Sequence, residues 1–400
     1  MFLGCHKFAS VFASLTLVLF LVMTSCALSP PPLTPSPEPS PLVTPESSSP
    51  SLPTPTASVL TELNLVAEPL AKKKLDVEMI YSGDDDSGLC YIGSYVMLAK
   101  FADSDIDFSD VIANCGIATS ALYVPEINLL LNGFGIGSIA VAAGNQGFDY
   151  YIVALKDAKL TDEFLATNLV EDAKQIISMK SEDEAFELLK RLISSDIPVM
   201  VHIDTNFIKE ALITHTSYWK TIFDWQEAHM GSTHIDHYMS VTGYDQTFVY
   251  LNDPTEKQED MGRDIPVDIS DFLNAWENGA HPTFSEQVRV GPYWMLFLGE
   301  RGTAKSASVL ISWNRGIATE AIPKIRQAAD NPNVIELIHC GEMYRARKEF
   351  GVFLKENGYE EAGNMFLEAS ELFRGLCQSP DQQADLLEIA DLQEQSLAKW

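Results

Sequence analysis

Apolar and polar residues alternate in two short stretches of the chain, from Tyr238 to Tyr244 and from Thr247 to Leu251. Alternation with a period of two, in stretches rich in β-branched and aromatic residues, predicts two strands. Asp245-Gln246 lies between them and predicts the turn of a β-hairpin. His237 is at the start of the first strand and Asp253 is at the end of the second. Because the two ends of an antiparallel pair lie side by side, we expect this imidazole and this carboxylate to be neighbours.

Other apolar patterns predict the elements around the hairpin. Apolar residues at helical spacing predict a helix that begins at Cys90 and ends near Phe101. The nearly continuous apolar run from Ile197 to Ile203 predicts a central strand buried on both faces. Further strands are predicted at 75–81, 147–155 and 292–298, further helices at 108–115, 123–131 and 182–193, and a strand that continues as a helix at 265–276. Residues 207–232 have no clear period, and their Trp219 and Trp225 are expected in a lid or substrate wall, or over the edge of the core.

The last third of the chain has a different pattern. After Gly302, four amphipathic stretches with a helical period are separated by Asn, Gly and Pro turns. They cover residues 322–329, 334–355, 360–376 and 384–399. We therefore predict an α+β domain at residues 71–302, in which an N-terminal helix carrying Cys90 packs on an antiparallel sheet. A C-terminal helical bundle at residues 303–400 follows it.

The N-terminal residues carry a targeting pattern. Residues 1–26 hold one basic residue, Lys7, then an apolar run too short to cross a bilayer, then small residues that lead into Cys26. This order predicts a secretory signal, and the end of it resembles a bacterial lipobox, which implies cleavage before Cys26 and lipid on that residue. A signal peptide without lipidation and an uncleaved anchor are the alternatives. Residues 27–70, rich in Pro, Ser and Thr, predict a disordered tether. Each alternative places the domain outside the cytoplasm, at a bacterial cell envelope.

Charge and cysteine usage narrow the range of functions. The chain has 56 acidic residues against 27 Lys and Arg, a formal charge of −29, which argues against nucleic-acid binding. Apolar residues make up 46% of the sequence, enough for a sizeable core. Outside the cytoplasm a disulfide is permitted, and Cys340 with Cys377 is the expected pair. The sequence has no CxxC motif and no close His/Cys cluster, so we expect neither a metal nor another cofactor.

The histidine and the carboxylate of the hairpin become a candidate active site once a nucleophile is added. Cys90 is at a predicted helix start, where unpaired amides and the helix dipole favour a thiolate. A nucleophilic cysteine needs a base that takes its proton and a third group that orients the base. Cys90, His237 and Asp253 supply these roles, with the cysteine on an early helix and the other two on adjacent strands. A buried structural cysteine is the alternative interpretation of Cys90.

Neighbouring residues could take each of these roles. The alternatives for the base and the acid are His234, Asp236 and Asn252. His237 is preferred because it directly precedes the strand that fixes its direction, and Asp253 because the following Pro254 holds it extended. Cys115 is the alternative nucleophile, or a disulfide partner that would silence Cys90.

Several segments resemble a known group of enzymes. The segments GLCYIGSYVMLAKF, NGFGIG, IPVMVHID and HIDHYMSVTGYDQTFVYLNDP resemble the papain-like cysteine peptidases related to bacteriocin double-glycine leader peptidases. They equally resemble the N-terminal domain of the butirosin-biosynthesis acyltransferase family, and YRARKEFGVFLKENG resembles its C-terminal domain. The likeness to the peptidases covers about residues 78–300. It implies a papain-like cysteine protease fold, with Cys90 as the nucleophile, His237 as the general base and Asp253 as the orienting acid.

One position departs from the pattern of the papain-like enzymes. In these enzymes a glutamine six residues before the cysteine stabilises the oxyanion, and the corresponding residue here is Asp84, in an acidic loop. A carboxylate donates no hydrogen bond to an oxyanion unless it is protonated, and acids near the thiol disfavour the thiolate. Backbone amides at the helix start could serve instead. The loop is expected to be solvated, and cation binding is the alternative.

Three functions are compatible with these features. The first is a membrane-tethered cysteine hydrolase outside the cytoplasm, which cleaves a peptide or amide through a thioester on Cys90. The second is an acyltransferase with the same three residues and an amine acceptor, which the resemblance of the C-terminal part favours. The third is a binding or scaffolding lipoprotein with little activity, which Asp84 in place of glutamine favours. The expected partners are a peptide or amide substrate and, through lipid on Cys26, a membrane.

Overall fold

The structure is a computed structural model that describes residues 63–82, 88–125, 129–132, 137–155, 175–215, 217–229, 235–279, 292–330, 336–337, 340–376, 379 and 381–400. Residues 1–62, with Cys26 and most of the predicted tether, lie outside the described residues, as do Asp84, His234 and Cys377. The described ranges belong to one compact unit, Thr56–Trp400. None of the helices in these ranges combines the length and the apolar character needed to cross a bilayer.

The strands and helices alternate irregularly along the chain. The strands are β1 (Lys73–Lys74), β2 (Leu122–Val124), β3 (Leu129–Leu131), β4 (Phe148–Leu155), β5 (Gln175–Met179), β6 (Val199–Asp204), β7 (Asp236–Tyr244), β8 (Phe248–Asn252), β9 (Ile265–Asp268), β10 (Met295–Arg301) and β11 (Glu336–Leu337). The α-helices are α1 (Cys90–Ala102), α2 (Phe108–Cys115), α3 (Gly137–Asn145), α4 (Glu182–Ser194), α5 (Lys209–His215), α6 (Ser217–His229), α7 (Glu259–Gly262), α8 (Ile269–Asn278), α9 (Ala307–Ala329), α10 (Cys340–Glu356), α11 (Glu360–Leu376) and α12 (Gln382–Leu397).

A single large sheet organises the molecule. Its strand order is β5-β4-β10-β6-β7-β8-β9, and β1 pairs with β7. Only β4 and β5 are parallel, and the other neighbouring strands of this sheet are antiparallel. All six residues of β6 are buried, which confirms the prediction of a central strand. The apolar run of β6 is explained by its place inside the sheet, with helices on both faces.

The hairpin of β7 and β8 is confirmed, and its register sets the position of the candidate site. Ser240 lies opposite Asn252, so His237 and Asp253 are at the same end of the pair. On its other side β7 pairs with β6, where His237 is opposite Ile203. The central position of β7 therefore fixes the backbone of the histidine from both sides of the strand.

Helices cover both faces of the sheet. One apolar cluster joins α1, α2 and α3 to the sheet through residues such as Ile92, Val111 and Ile139. A second cluster joins α4 and α8 to the opposite face, with Leu189 and Trp276 fully buried. This arrangement of helices around a mainly antiparallel sheet is the predicted α+β fold.

The helices that follow residue 302 share the core of α1. Phe350 of α10 and Phe366 of α11 are fully buried in the same apolar cluster as Ile92. The hydroxyl of Tyr91, next to Cys90, donates a hydrogen bond of 2.9 Å to the carboxylate of Glu342 in α10. Strand β11 also pairs with β3 in a small second sheet, order β11-β3-β2. The domain boundary at residue 302 stays a prediction, and the core continues across it.

Two predictions of secondary structure are wrong for local reasons. The described residues of the predicted helix at 123–131 lie in and between two strands, β2 and β3, with Leu122 opposite Leu131. Pro125, which has no amide hydrogen and disfavours the helical conformation of the preceding residue, is the signal against the helix. The connection 207–232 contains α5 and α6 where no period was expected. Trp219 and Phe223, four residues apart and both 2% exposed, are the buried face of α6.

The predicted edge strand at 75–81 has the expected alternation but no ladder. Leu75, Val77 and Met79 are buried, and the residues between them are exposed. Isolated hydrogen bonds hold this segment, from the Leu75 amide to the Thr242 carbonyl and from the Asn252 side chain to the Val77 carbonyl. The alternation therefore reflects an extended segment that lies on the core.

Candidate active site

Cys90 is the first residue of α1, and its thiol is half-buried and free. The preceding Leu89 gives the helix no side-chain cap, and the first turn contains no acidic residue. The first amides of a helix have no partner within the helix, and together with the helix dipole they favour negative charge nearby. The sulfur therefore lies at the positive end of the helix dipole, beside amides that have no partner within the helix.

His237 and Asp253 form a direct pair at the end of the hairpin. The imidazole Nε2 lies 2.9 Å from Oδ1 of Asp253. The histidine is 3% exposed and the aspartate is fully buried. With Nε2 occupied by the carboxylate, Nδ1 is the ring nitrogen that remains for the thiol of Cys90. The structure thus brings together the three residues that the sequence singled out.

The charge state of His237 follows from these two neighbours. Burial alone would lower the pKa of this imidazole, because a charged ring loses its hydration. Attraction to Cys90 and Asp253, and hydrogen bonds to both side chains, outweigh burial and raise the pKa of His237 to about 10. The ring is therefore an imidazolium at neutral pH, held between two groups that are negative when ionised.

The carboxylate of Asp253 is saturated with hydrogen bonds. Its Oδ1 accepts from the amide of Thr255 at 2.9 Å and from the Thr255 hydroxyl at 2.7 Å, in addition to His237. Its Oδ2 accepts from Nε1 of Trp219. Burial opposes ionisation, but the charge of His237 and these hydrogen bonds hold the pKa of Asp253 below its ordinary value. The group remains an anion in a dry environment.

Trp219 is a residue of the site whose position the sequence did not specify. It comes from α6, and its indole packs edge-on against the His237 ring, with 5.0 Å between ring centroids and 72° between planes. The indole therefore both donates a hydrogen bond to Asp253 and covers the ring of His237. The sequence predicted a lid, a substrate wall or a core cover for this residue. The spacing of Trp219 and Phe223 was a signal of a buried helical face, but not of a hydrogen bond to Asp253.

Aromatic rings from α1, from β6 and β7, and from the residue before β10 pack together beside the site. Tyr238, the half-buried residue after His237, stacks on His202 of β6 with 4.3 Å between centroids. The rings of Tyr91 and Trp294 meet Tyr238 edge-on at 6.1 and 5.9 Å. Burial, and then the charge of His237, lower the pKa of His202 to about 3. His202 is therefore neutral, and adds packing without adding charge.

The residues that were alternatives to His237 and Asp253 differ from them in position. Asp236 lies opposite Asp204 in the pairing of β6 with β7. The side chain of Asn252 donates to the Val77 carbonyl and accepts from the Asp264 amide, so it holds the extended segment in place. His234 lies outside the described residues.

The other cysteines differ from Cys90. Cys115 is fully buried and free, which excludes a Cys90–Cys115 disulfide in this structure. Burial, partly offset by hydrogen bonds, raises the pKa of Cys115 to about 12, so this thiol is not activated. The predicted pair of Cys340 and Cys377 cannot be followed, because the Cys340 side chain and all of Cys377 lie outside the described residues. Asp84, at the oxyanion position, also lies outside them.

The described ranges contain no group of three or more His, Cys, Asp or Glu side chains that could hold a metal ion. The candidate catalytic residues of this site are Cys90, His237 and Asp253. Their catalytic roles stay predictions.

Comparison with known proteins identifies the family. The sequence model of the Peptidase_C39 like family matches residues 75–282, slightly more than half of the 400 residues. The chain belongs to this family. Membership in the C39-like peptidases confirms the predicted papain-like cysteine peptidase-like domain and its α+β fold, and implies a peptide substrate. The matched residues include Cys90, His237 and Asp253 and end before α9.

This chain is similar to the crystal structure of a C39-like peptidase from Bacillus anthracis. The aligned residues cover 58% of this chain and 99% of that chain. The two share 14% sequence identity, and the TM-score is 0.34. No curated protein matches the chain.

Proposed function

We propose that this C39-like protein is a cysteine hydrolase that cleaves a peptide or other amide through a thioester on Cys90. We further propose that it acts outside the cytoplasm, tethered to a bacterial membrane by lipid on Cys26. The observation that carries the enzymatic proposal is the chain of contacts from the Cys90 thiol through His237 to the buried Asp253. The location rests on the pattern of residues 1–26 and the tether after it.

The reaction follows from the protonation states of the site. His237 holds the proton of the thiol on Nδ1, and the thiolate of Cys90 attacks the carbonyl carbon of the substrate. The carbonyl electrons move to oxygen, and amides at the start of α1 donate to the oxyanion. As the oxyanion collapses, His237 passes its proton to the leaving nitrogen, and an amine departs. A thioester on Cys90 remains.

The second half of the reaction releases the acid. His237, now neutral, accepts a proton from water as the water oxygen attacks the thioester carbonyl. The carbon–sulfur bond breaks, a carboxylic acid leaves, and the thiolate and the imidazolium are restored. Asp253 keeps the ring oriented and stabilises its positive charge in both halves, because its oxygens are fixed by Trp219 and Thr255.

The proposal is tested by labelling and by turnover. In the full chain, Cys90 should react with iodoacetamide at pH 5 well above the rate of free cysteine, and the buried Cys115 in the same sample should not react. Peptide mass spectrometry reads both sites. His237→Ala should abolish the excess rate at Cys90. A Cys90 that reacts no faster than free cysteine contradicts both enzyme proposals and leaves the binding lipoprotein.

A simple acyl thioester with N-acetylcysteamine then separates hydrolase from acyltransferase. The hydrolase should release free acid at the same rate with and without an added primary amine, and Cys90→Ala should abolish release. Dominant formation of the amide would instead support the acyltransferase.

A further inference from the structure

Two buried serines connect the helix of the nucleophile to the strand of the base. The Ser94 hydroxyl in α1 donates 2.9 Å to the carbonyl oxygen of Tyr238 in β7. In return, the Ser240 hydroxyl in β7 donates 3.1 Å to the carbonyl oxygen of Ser94. Both serines have no exposed surface. We call this reciprocal pair of bonds the serine clasp.

The serine clasp lies close to each reacting group along the chain. Ser94 follows Cys90 by four residues, so it is about one helical turn, or ~6 Å along the axis, below the nucleophile. Tyr238 is the residue after His237, and Ser240 is on the same face of the strand as Tyr238. A shift of α1 along β7 would therefore stretch the clasp and also change the distance from the sulfur to the imidazole.

Hydrogen bonds and apolar contacts constrain such a shift differently. Apolar contact between a helix and a sheet is not directional, so it opposes sliding only weakly. A hydrogen bond loses strength over a few tenths of an ångström and over a modest change in angle. Two such bonds of opposite direction, in a dry interface, define one register of α1 on β7.

Other buried serines of the chain show that these bonds are not forced by burial. Ser120, Ser370 and Ser396 each donate to the carbonyl three residues earlier in their own segment. A buried serine can therefore satisfy its hydroxyl locally. Ser94 and Ser240 instead direct their hydroxyls across the interface between the two catalytic elements.

Gly93 restrains the same helix against the third catalytic residue. A Cβ added to Gly93 would lie 2.7 Å from Cβ of Pro254 and 2.8 Å from Cβ of Ser82. Pro254 follows Asp253, so the bare backbone of α1 sits directly against the turn that carries the acid. The first turns of α1 are thus restrained against β7 on one side and against the end of β8 on another.

We propose that Ser94 and Ser240 are positioning residues that hold the Cys90 sulfur within hydrogen-bond reach of the His237 imidazole. This inference rests on the proposed function, because it concerns the thiolate–imidazolium pair of that reaction. Neither serine touches the reacting atoms. Their effect is on the fraction of molecules in which the pair is formed.

The test measures the pair without a peptide substrate. The second-order rate of labelling of Cys90 by 2,2′-dipyridyl disulfide is followed in the full chain at pH 5 and pH 9, with peptide mass spectrometry to isolate Cys90. At pH 5 an isolated thiol is almost entirely protonated, so a fast rate reports the ion pair. At pH 9 any accessible thiol ionises, and the rate reports access alone.

Ser94→Ala with Ser240→Ala should lower the rate at pH 5 at least tenfold and change the rate at pH 9 less than twofold. Each single substitution should lower it about threefold. Ser370→Ala, which removes a buried serine with a local bond, is the matched control and should leave both rates unchanged. Thermal unfolding of each variant shows that it is folded, and the single variants carry the test if the double variant is not.

A double variant, or single variants, with the wild-type rate at pH 5 would overturn the positioning role. Equal losses at both pH values would do the same, because they would indicate general disruption. A wild-type protein whose Cys90 reacts at pH 5 no faster than free cysteine would overturn the proposed function itself. The wild-type rate is therefore measured before the rate of any variant. The two failures are therefore distinguished.

Discussion

Replacing Trp219 by Phe isolates the hydrogen bond that this indole donates to the carboxylate of Asp253. The phenyl ring keeps part of the packing against His237 and removes the donor to Oδ2 of Asp253. Trp276→Phe is a matched control, because Trp276 is buried as well and its Nε1 donates a hydrogen bond of 2.7 Å to the neutral carbonyl of Trp294. Both substitutions lose the same atoms from the core.

The charge of the acceptor makes the expected losses unequal. Hydrogen bonds to charged groups contribute about 1.5–3 kcal/mol, and those to neutral groups about 0.5–1.5 kcal/mol. The shared cost of the missing ring cancels, so Trp219→Phe should lower the free energy of unfolding about 1 kcal/mol more than Trp276→Phe at pH 6. Trp219→Phe should also slow labelling of Cys90 at pH 5 by about tenfold, because the ring of His237 loses its orientation. Trp276→Phe should not.

The pH dependence carries the sharper test. The pKa of Asp253 is below its unfolded value of 3.8. Burial raises this pKa, but the charge of His237 and the hydrogen bonds, including that of Trp219, lower it further than burial raises it. A group with a lowered pKa stabilises the fold above its unfolded pKa, and this contribution is lost as pH falls through the folded pKa. The excess loss in Trp219→Phe should therefore be full at pH 6 and shrink below pH 4.

Urea unfolding at pH 6 and at pH 3, followed by tryptophan fluorescence and circular dichroism, measures these differences. Two variants with equal losses at both pH values would refute the claim that Trp219 stabilises an ionised carboxylate. Normal labelling of Cys90 in Trp219→Phe would refute its effect on the base.

Other predictions follow from the same geometry. Gly93→Ala should destabilise the protein by about 1–3 kcal/mol in urea unfolding, because the new methyl group meets Pro254 at 2.7 Å. Gly316→Ala is the control: a methyl group there meets nothing within 4 Å, so the free energy of unfolding should stay the same or rise by up to ~1 kcal/mol. Cys90→Ala should lower the pKa of His237 from about 10, read by NMR titration of the ring. The raised pKa of His237 stabilises the fold below about pH 6.5, and this contribution is lost as the pH rises towards 10. The free energy of unfolding should therefore fall less between pH 7 and 10 in Cys90→Ala than in the wild type. An unchanged titration would show that the thiol does not interact with the ring.

The parts of the fold that follow from local periodicity could be predicted from the sequence. The alternation around Tyr238 and the apolar run that ends at Ile203 gave correct strands, because burial on one face or on both leaves a pattern within a single segment. The helix start at Cys90 was visible for the same reason. With these three elements, the meeting of His237 and Asp253 followed from the closure of a hairpin.

Features that depend on distant segments left no such pattern. Strand β10 inserts between β4 and β6, although about 140 residues separate it from β4 and about 90 from β6. The bond from Trp219 to Asp253 requires α6 to lie over the end of β8. The alternation at 75–81 led to the wrong prediction of a paired strand. An extended segment that lies on a core buries every second residue, just as a paired strand does. Only the neighbours distinguish them.

The core shared by α1 and the C-terminal helices has a consequence for the order of events during synthesis. The side chains of Ile92 and Tyr95 emerge early, and Phe350 and Phe366, which complete their packing, follow some 250 residues later. At ~5–20 residues per second, translation needs about 13–50 s to supply them. A chain interrupted before α10 carries Cys90 on a helix that can pack on the sheet but lacks the part of its apolar cover that α10 and α11 supply. Completion of the core around α1 is thus delayed until nearly the whole chain has been made.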